Sequence, residues 1–212
     1  MKKRNALSAG VYVFLILCAL FTLAPLILAL INSFKSNGEI LTNALSLPKA
    51  ITAENYVRSV GKMHYLQNLG NTVLLAAGGV GLIVLFSALA GWKLCRTKTK
   101  LSGFLLSLFV FSMLIPFSSI MIPLYKVVLV LKIKNSLIGL CFVYAGLGVS
   151  MAIFLYHGFV KGIPKELEEA AAIDGCTELQ TFFRIVFPML KPVTATICIT
   201  NVLWIWNDFL LP

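Results

Sequence analysis

Only eight of the 212 residues are acidic, and five of them, Glu166, Glu168, Glu169, Asp174 and Glu178, fall in one stretch between segments apolar enough to dissolve in lipid. The chemistry such a cluster offers is electrostatic. Carboxylates near the positive end of a helix stabilise it by about 0.3 to 1 kcal/mol each. Here Pro164 suits a first helical turn, where its missing N–H costs nothing, and the three glutamates follow it. Ala170, Ala171 and Ala172 continue the helix with the best helix former, and Gly175 supplies the left-handed residue that ends it. Thr177 followed by Gln180 fits a capping box for a second helix, predicted to run through Phe182, Phe183 and Ile185 until Pro188 and Pro192 break it. A shallow alanine face flanked by carboxylates can seat close against a partner. The competing reading, a helix lying on the membrane surface, wants an excess of Lys and Arg. Lys161, Lys165, Arg184 and Lys191 do not outnumber the five acids here, and anionic lipid repels acidic charge.

The elements that position this stretch are dictated by composition. Hydrophobic residues make up 59% of the sequence, charged residues 12%, and the mean hydropathy is +0.92, far from the balance of soluble domains. The reading is an all-α integral membrane protein. A helix needs about 20 apolar residues to cross a bilayer, and runs of that length place spans at about 11–31, 72–92, 101–124, 137–156 and 193–212. The acidic loop, 157–192, lies between the fourth and fifth. The first run is too long for a signal peptide and lacks a cleavage site.

The net charge of +10 is spread as short basic clusters between apolar runs, the pattern that sets membrane orientation rather than one that binds nucleic acid. With the N-terminus in the cytoplasm, eleven of the 18 basic residues fall inside: Lys2, Lys3, Arg4, Lys93, Arg96, Lys98, Lys100, Lys161, Lys165, Arg184 and Lys191. Seven fall outside, and the acidic loop becomes cytoplasmic.

Small residues four apart, Ala77 with Gly81, Ser87 with Gly91 and Gly146 with Ser150, share helix faces and predict close packing. Pro116 and Pro123 are expected to kink the third span. The five cysteines show no CxxC or Cys/His spacing, so neither a disulfide frame nor a metal site is read. His64 and His157 are read as interfacial polar residues. No GxxxxGK[ST] loop occurs, which argues against ATP binding by this protein, and no cofactor is expected.

The run Glu169-Ala170-Ala171, Gly175, Ile185-Val186-Phe187-Pro188 resembles the EAA signature of bacterial ABC-importer permeases, EAA-x3-G-x9-I-x-L-P, at six of its seven fixed positions. Phe187 stands where that family usually has Leu. Phe34-Lys35-Ser36, Glu39-Ile40, Leu47-Pro48, Asn55-Tyr56, Met121-Ile122-Pro123-Leu124 and Trp206-Asn207-Asp208-Phe209 with Pro212 are similar to the maltose-type carbohydrate-uptake branch. Lys132-Ile133 departs from it where relatives often carry Gly-Leu.

The resemblance implies a type I permease bundle, with about five of the family's six transmembrane helices present and the sequence truncated at its C-terminus. It implies residence in the bacterial inner membrane and a non-enzymatic role. The implied partners are a second permease subunit in a heterodimer, two copies of a cytoplasmic ABC ATPase and an extracytoplasmic sugar-binding protein. By the same resemblance Glu169, Ala170, Ala171, Ala172, Asp174, Gly175, Ile185 and Pro188 form the loop that couples to the ATPase.

Asp208 is the one carboxylate in or beside an apolar span, roughly 22 Å above the inner edge by helical rise. With Trp204, Trp206 and Asn207 it offers stacking faces and hydrogen bonds to a sugar. An interfacial aromatic belt with a bundle-packing Asn/Asp pair explains the same residues. Within the family, the alternative solutes are a peptide, an amino acid, glycerol phosphate or an anion. Outside it stand a membrane anchor or assembly subunit and an ATPase-independent transporter; the latter wants mid-span ionisable residues, of which only Asp208 comes near.

Overall fold

Residues 2–211 are described by a computed structural model, with side chains described from residue 10 onward. The side chains of Lys2, Lys3 and Arg4, which weigh in the orientation count, and Pro212 of the last motif lie outside the described residues. Every regular element described is helical. The protein divides into two units, Met1–Leu69 and Gly70–Pro212.

In the first unit, α1 (Lys2–Ser33) holds the predicted first span and tolerates Pro25 in its interior. Two short helices follow, α2 (Asn37–Thr42) and α3 (Glu54–Lys62). Their connection is tied by the residues that carried the branch resemblance. Lys35 is fully buried, and its Nζ donates to the carbonyls of Asn43 (3.2 Å) and Ala44 (3.3 Å). Asn55 Nδ2 donates back to Lys35 O at 2.6 Å and to Ser33 O at 3.1 Å. Glu39 Oε1 accepts from the Lys49 amide at 2.7 Å, and Phe34 packs on Tyr56 with ring centroids 5.4 Å apart. A lysine can be buried here because its donors find acceptors.

Helix α4 (Tyr65–Arg96) contains the predicted second span and extends it at both ends. The third predicted span is not one kinked helix. It is two, α5 (Lys100–Ser112) and α6 (Phe117–Val130), 106° apart. Pro116 is the N-cap of α6 rather than a kink inside a helix; a proline disfavours helical geometry in the residue before it and offers no N–H to carry the ladder across. Pro123 lies inside the continuous helix α6. Next comes α7 (Leu137–Val160), the predicted fourth span. The loop before it holds Lys132 at φ +55°, the left-handed region that glycine enters at no cost. A glycine would meet this backbone without strain, whereas Lys132 adopts it at a cost.

The cytoplasmic-loop candidate follows as α8 (Glu166–Ile173), α9 (Glu178–Thr181), a π-turn (Phe182–Val186) and α10 (Phe187–Met189). The last helix is α11 (Lys191–Asn207), 76° from the α9–α10 segment. The second loop helix thus carries on through Pro188, and the break falls at Leu190, just before Pro192 in the first turn of α11. The predicted fifth span ends at Asn207, with Asp208 as an extended C-cap. Three helices are long and apolar enough to cross a membrane by themselves, or up to five if each bent pair is one span, among the described residues.

The core of the second unit is formed by α4, α7, the loop and α11: Ile83, Ala88, Trp92, Ala152, Tyr156, Val160, Phe182, Val186, Val193 and Ile197 are buried together. Two of the three predicted small-residue pairs meet the core at least in part. Ser87 is buried and donates to Val149 O at 3.3 Å, and a Cβ on Gly91 would lie 2.7 Å from Tyr156 Cβ. Ser150 is buried and bonds Ser112 at 2.7 Å, but its partner Gly146 is exposed. Ala77 and Gly81 are both exposed, and a Cβ built on Gly81 meets nothing within 4 Å. Gly148, which the pairing rule passes over, is the tighter contact, with Ile83 Cδ1 at 2.6 Å from a built Cβ.

Candidate functional site

The loop between α7 and α11 is built as its residues dictate. Lys165, not Pro164, is the N-cap of α8; its carbonyl accepts from the amides of Glu168 (2.9 Å) and Glu169 (3.0 Å), and Pro164 stands just outside the helix. Glu166, Glu168 and Glu169 occupy the first turn, where the helix dipole favours negative charge. The helix ends at Asp174. Gly175 then turns at φ +81°, and the Cys176 amide bonds back to Ala171 O at 2.9 Å, a closure that needs a residue without a Cβ penalty. The Thr177 and Gln180 capping box forms as expected, with Gln180 Oε1 accepting from the Thr177 amide at 2.9 Å.

Helix α8 has two faces. Ala171 is buried and Glu168 is largely covered, three positions apart on the side toward α4. Glu169, Ala170, Ala172, Ile173, Asp174 and Gly175 are open. Ile173 is 87% exposed, and Leu179 in α9 is 60% exposed. Of the predicted loop residues, Ile185 in the π-turn is half-buried and Pro188 is exposed. The open side is therefore carboxylate, alanine and isoleucine.

The inward side holds a network that the sequence alone does not reveal. Trp92 Nε1 donates to Glu168 Oε2 at 3.0 Å, and Arg96 Nε donates to Glu168 Oε1 at 2.8 Å. Arg96 Nη2 also donates to Ile163 O at 2.8 Å. The Arg96 and Glu168 side chains are only 14% and 15% exposed. A second ion pair, Lys93 with Glu178 at 2.6 Å, is open to solvent. Trp92 packs on Phe182 with ring centroids 5.2 Å apart. The available signal is spacing, since Trp92 and Arg96 are four apart and share a face at the end of α4. These contacts place the basic end of α4 and the acidic loop at the same end of the unit.

The residues suggested for a substrate path do not come together as one group. Asp208 Oδ2 accepts from Tyr144 Oη at 2.8 Å and Oδ1 accepts from the Leu210 amide at 3.0 Å. Trp204 packs perpendicular to the same tyrosine, ring centroids 5.4 Å apart. Trp206 and Asn207 are exposed, and Asn207 Nδ2 bonds only Leu203 O within its own helix. Both Asp208 oxygens have protein donors, which fits the fastening reading of that carboxylate better than an unfilled binding site.

The family model "Binding-protein-dependent transport system inner membrane component" matches residues 83–212. The protein "Probable starch degradation products transport system permease protein AmyC" of Thermoanaerobacterium thermosulfurigenes is 39% identical over 197 residues, covering 93% of this protein and 72% of that one. The multiple sugar-binding transport system permease protein MsmG of Streptococcus mutans is 35% identical, covering 95% and 73%. The melibiose/raffinose/stachyose import permease protein MelC of Bacillus subtilis is 35% identical, covering 92% and 70%. Among solved structures, a bacterial ABC transporter that imports the acidic polysaccharide alginate matches with a TM-score of 0.86 at 22% identity, covering 98% of this protein and 73% of that one.

Proposed function

Since the protein belongs to the family of inner-membrane components of binding-protein-dependent transport systems, we propose that it is the permease subunit of an ATP-driven carbohydrate importer, one half of a heterodimeric pathway. It is a multi-pass membrane permease and not a catalyst. Two cytoplasmic ATPases hydrolyse the nucleotide, and an extracytoplasmic binding protein delivers the sugar. The carbohydrate class is supported by the relatives, whose names concern starch degradation products, multiple sugars, and melibiose, raffinose and stachyose. The N-terminus is cytoplasmic, which puts the acidic loop on the side of the ATPases and agrees with the excess of Lys and Arg there.

The single observation that carries the coupling role is the open face of α8. An isoleucine 87% exposed beside alanines and carboxylates, on a helix whose other face is fixed, is a surface made to be covered. Glu169, Ala170, Ala172, Asp174 and Gly175 make that surface. Ala171 packs beneath it, and Ile185 and Pro188 carry the backbone on to α11. Asp208 fastens the end of α11 to α7 through Tyr144, while Trp206 and Asn207 remain exposed.

The test uses the complete importer in cells. Glu169→Lys reverses a charge on the open face, and Gly175→Trp adds bulk at a turn held at φ +81°. Both variants are expected to reach the membrane at normal levels, while ATPase co-purification and uptake of labelled malto-oligosaccharides, melibiose and raffinose fall at least about tenfold, the loss of a central contact. Normal uptake with both substitutions overturns the coupling assignment. Import of labelled peptides or glycerol phosphate in place of every sugar overturns the substrate class.

A further inference from the structure

The half-buried Trp92, Arg96 and Glu168 network does something that the docking of α8 alone does not require. Both Glu168 oxygens are occupied, one by the Trp92 indole and one by the Arg96 guanidinium, and Arg96 reaches past them to Ile163 O in the turn that leads into α8. One side chain from the end of α4 thus holds both α8 and its approach. The bonds are charge-assisted, short and forked, the geometry in which a point charge replaces arginine only in part. Their low exposure protects them from salt screening. The Lys93–Glu178 pair, with side chains 57% and 75% exposed, has neither property.

We propose that Arg96 and Glu168 are positioning residues for coupling: they fasten α8 to the end of α4, so that displacement of α8 by a partner is delivered to that span and through it to the other side of the membrane. The inference rests on the reading of α8 as the ATPase-binding element. Helix α4 receives the load on a stiff surface, because Trp92 also stacks on the buried Phe182 and Gly91 lies directly against α7. A series of packed, directional contacts of this kind is what coupling between distant sites needs. Neither residue lies on the open face, so loss of the fork leaves the ATPase its docking surface.

The experiment uses the complete importer in inside-out and right-side-out vesicles. A labelling site is placed at the outer part of α4 by Val73→Cys, a half-exposed position. The rate of reaction with a membrane-impermeant maleimide is measured with and without ATP and vanadate, and the background from the native cysteines is subtracted. The same vesicles are assayed for trapped ADP. With wild-type Arg96 and Glu168, trapping changes the labelling rate at position 73 by at least about threefold. In Arg96→Met and in the isosteric Glu168→Gln, ADP is trapped to the wild-type extent while the labelling response is lost. Arg96→Lys, which keeps the charge, recovers part of it. A full response in both Arg96→Met and Glu168→Gln, or no response with wild-type residues, overturns the proposal. So does a fall in trapping that matches the fall in response. Should Arg96→Met fail to assemble, Glu168→Gln decides alone. Failure of the wild-type protein to co-purify with an ATPase would instead overturn the underlying reading.

Discussion

Gly91 and Gly81 sit on the same helix, and their surroundings set opposite tolerances. A Cβ on Gly91 would stand 2.7 Å from Tyr156 Cβ, 3.0 Å from the His157 amide nitrogen and 3.2 Å from Ile153 O, so two of the three obstacles are backbone. Relief requires α4 and α7 to part, and overpacking of that kind costs about 1 to 3 kcal/mol. A Cβ on Gly81 meets nothing within 4 Å. Gly91→Ala is therefore expected to lower the midpoint of thermal aggregation in detergent by several degrees, whereas Gly81→Ala leaves it unchanged. Equal midpoints would show that the α4–α7 approach is looser than these contacts demand. The sequence rule of small residues four apart identifies both pairs with equal force. It cannot tell them apart, because spacing reports which residues share a face and not what the face meets.

At the scale of elements, the loop from α8 to α10 is the most legible part of the sequence and α5–α6 among the least. Caps and glycine turns are local chemistry, so Thr177, Gln180 and Gly175 announce their roles within a few residues. Thr177→Ala removes the hydroxyl that accepts from the Gln180 amide, and with it about 1 kcal/mol of local stability. The loss is expected as faster hydrogen exchange in α9 and the adjoining π-turn, with α8 unchanged, because α8 ends on its own glycine turn at Gly175. Exchange that rises equally in both would mean that the two helices melt as one. Pro116 suggests only a bend within one span, since a proline alone does not say how far the next helix turns. The angle between α5 and α6 is 106°. The Trp92, Arg96 and Glu168 network is hidden in the sequence for a related reason. Its partners are more than 70 positions apart, and only folding brings them together.

For the whole molecule the decisive question is which side of the bilayer holds the acidic loop. Local contacts fix part of the answer: Lys93 and Arg96 at the end of α4 pair with Glu178 and Glu168 of the loop, so these charges share one side. Under the orientation proposed above that side is the cytoplasm, where the acids serve as counter-charges of basic residues rather than as lipid contacts. Cys176 is a probe already in place, a partly exposed thiol one residue past the Gly175 turn. A membrane-impermeant maleimide is expected to label Cys176 in inside-out vesicles and not in intact cells, and Cys176→Ser abolishes that signal. Addition of the ATPase subunits to inside-out vesicles stripped of them should then protect the thiol, because the exposed face proposed to dock the ATPase includes Asp174 and Gly175 immediately before it. Labelling of Cys176 from outside intact cells would place α8 beyond the reach of any cytoplasmic ATPase. The clamp to α4 would then join two elements on the wrong side of the membrane for coupling.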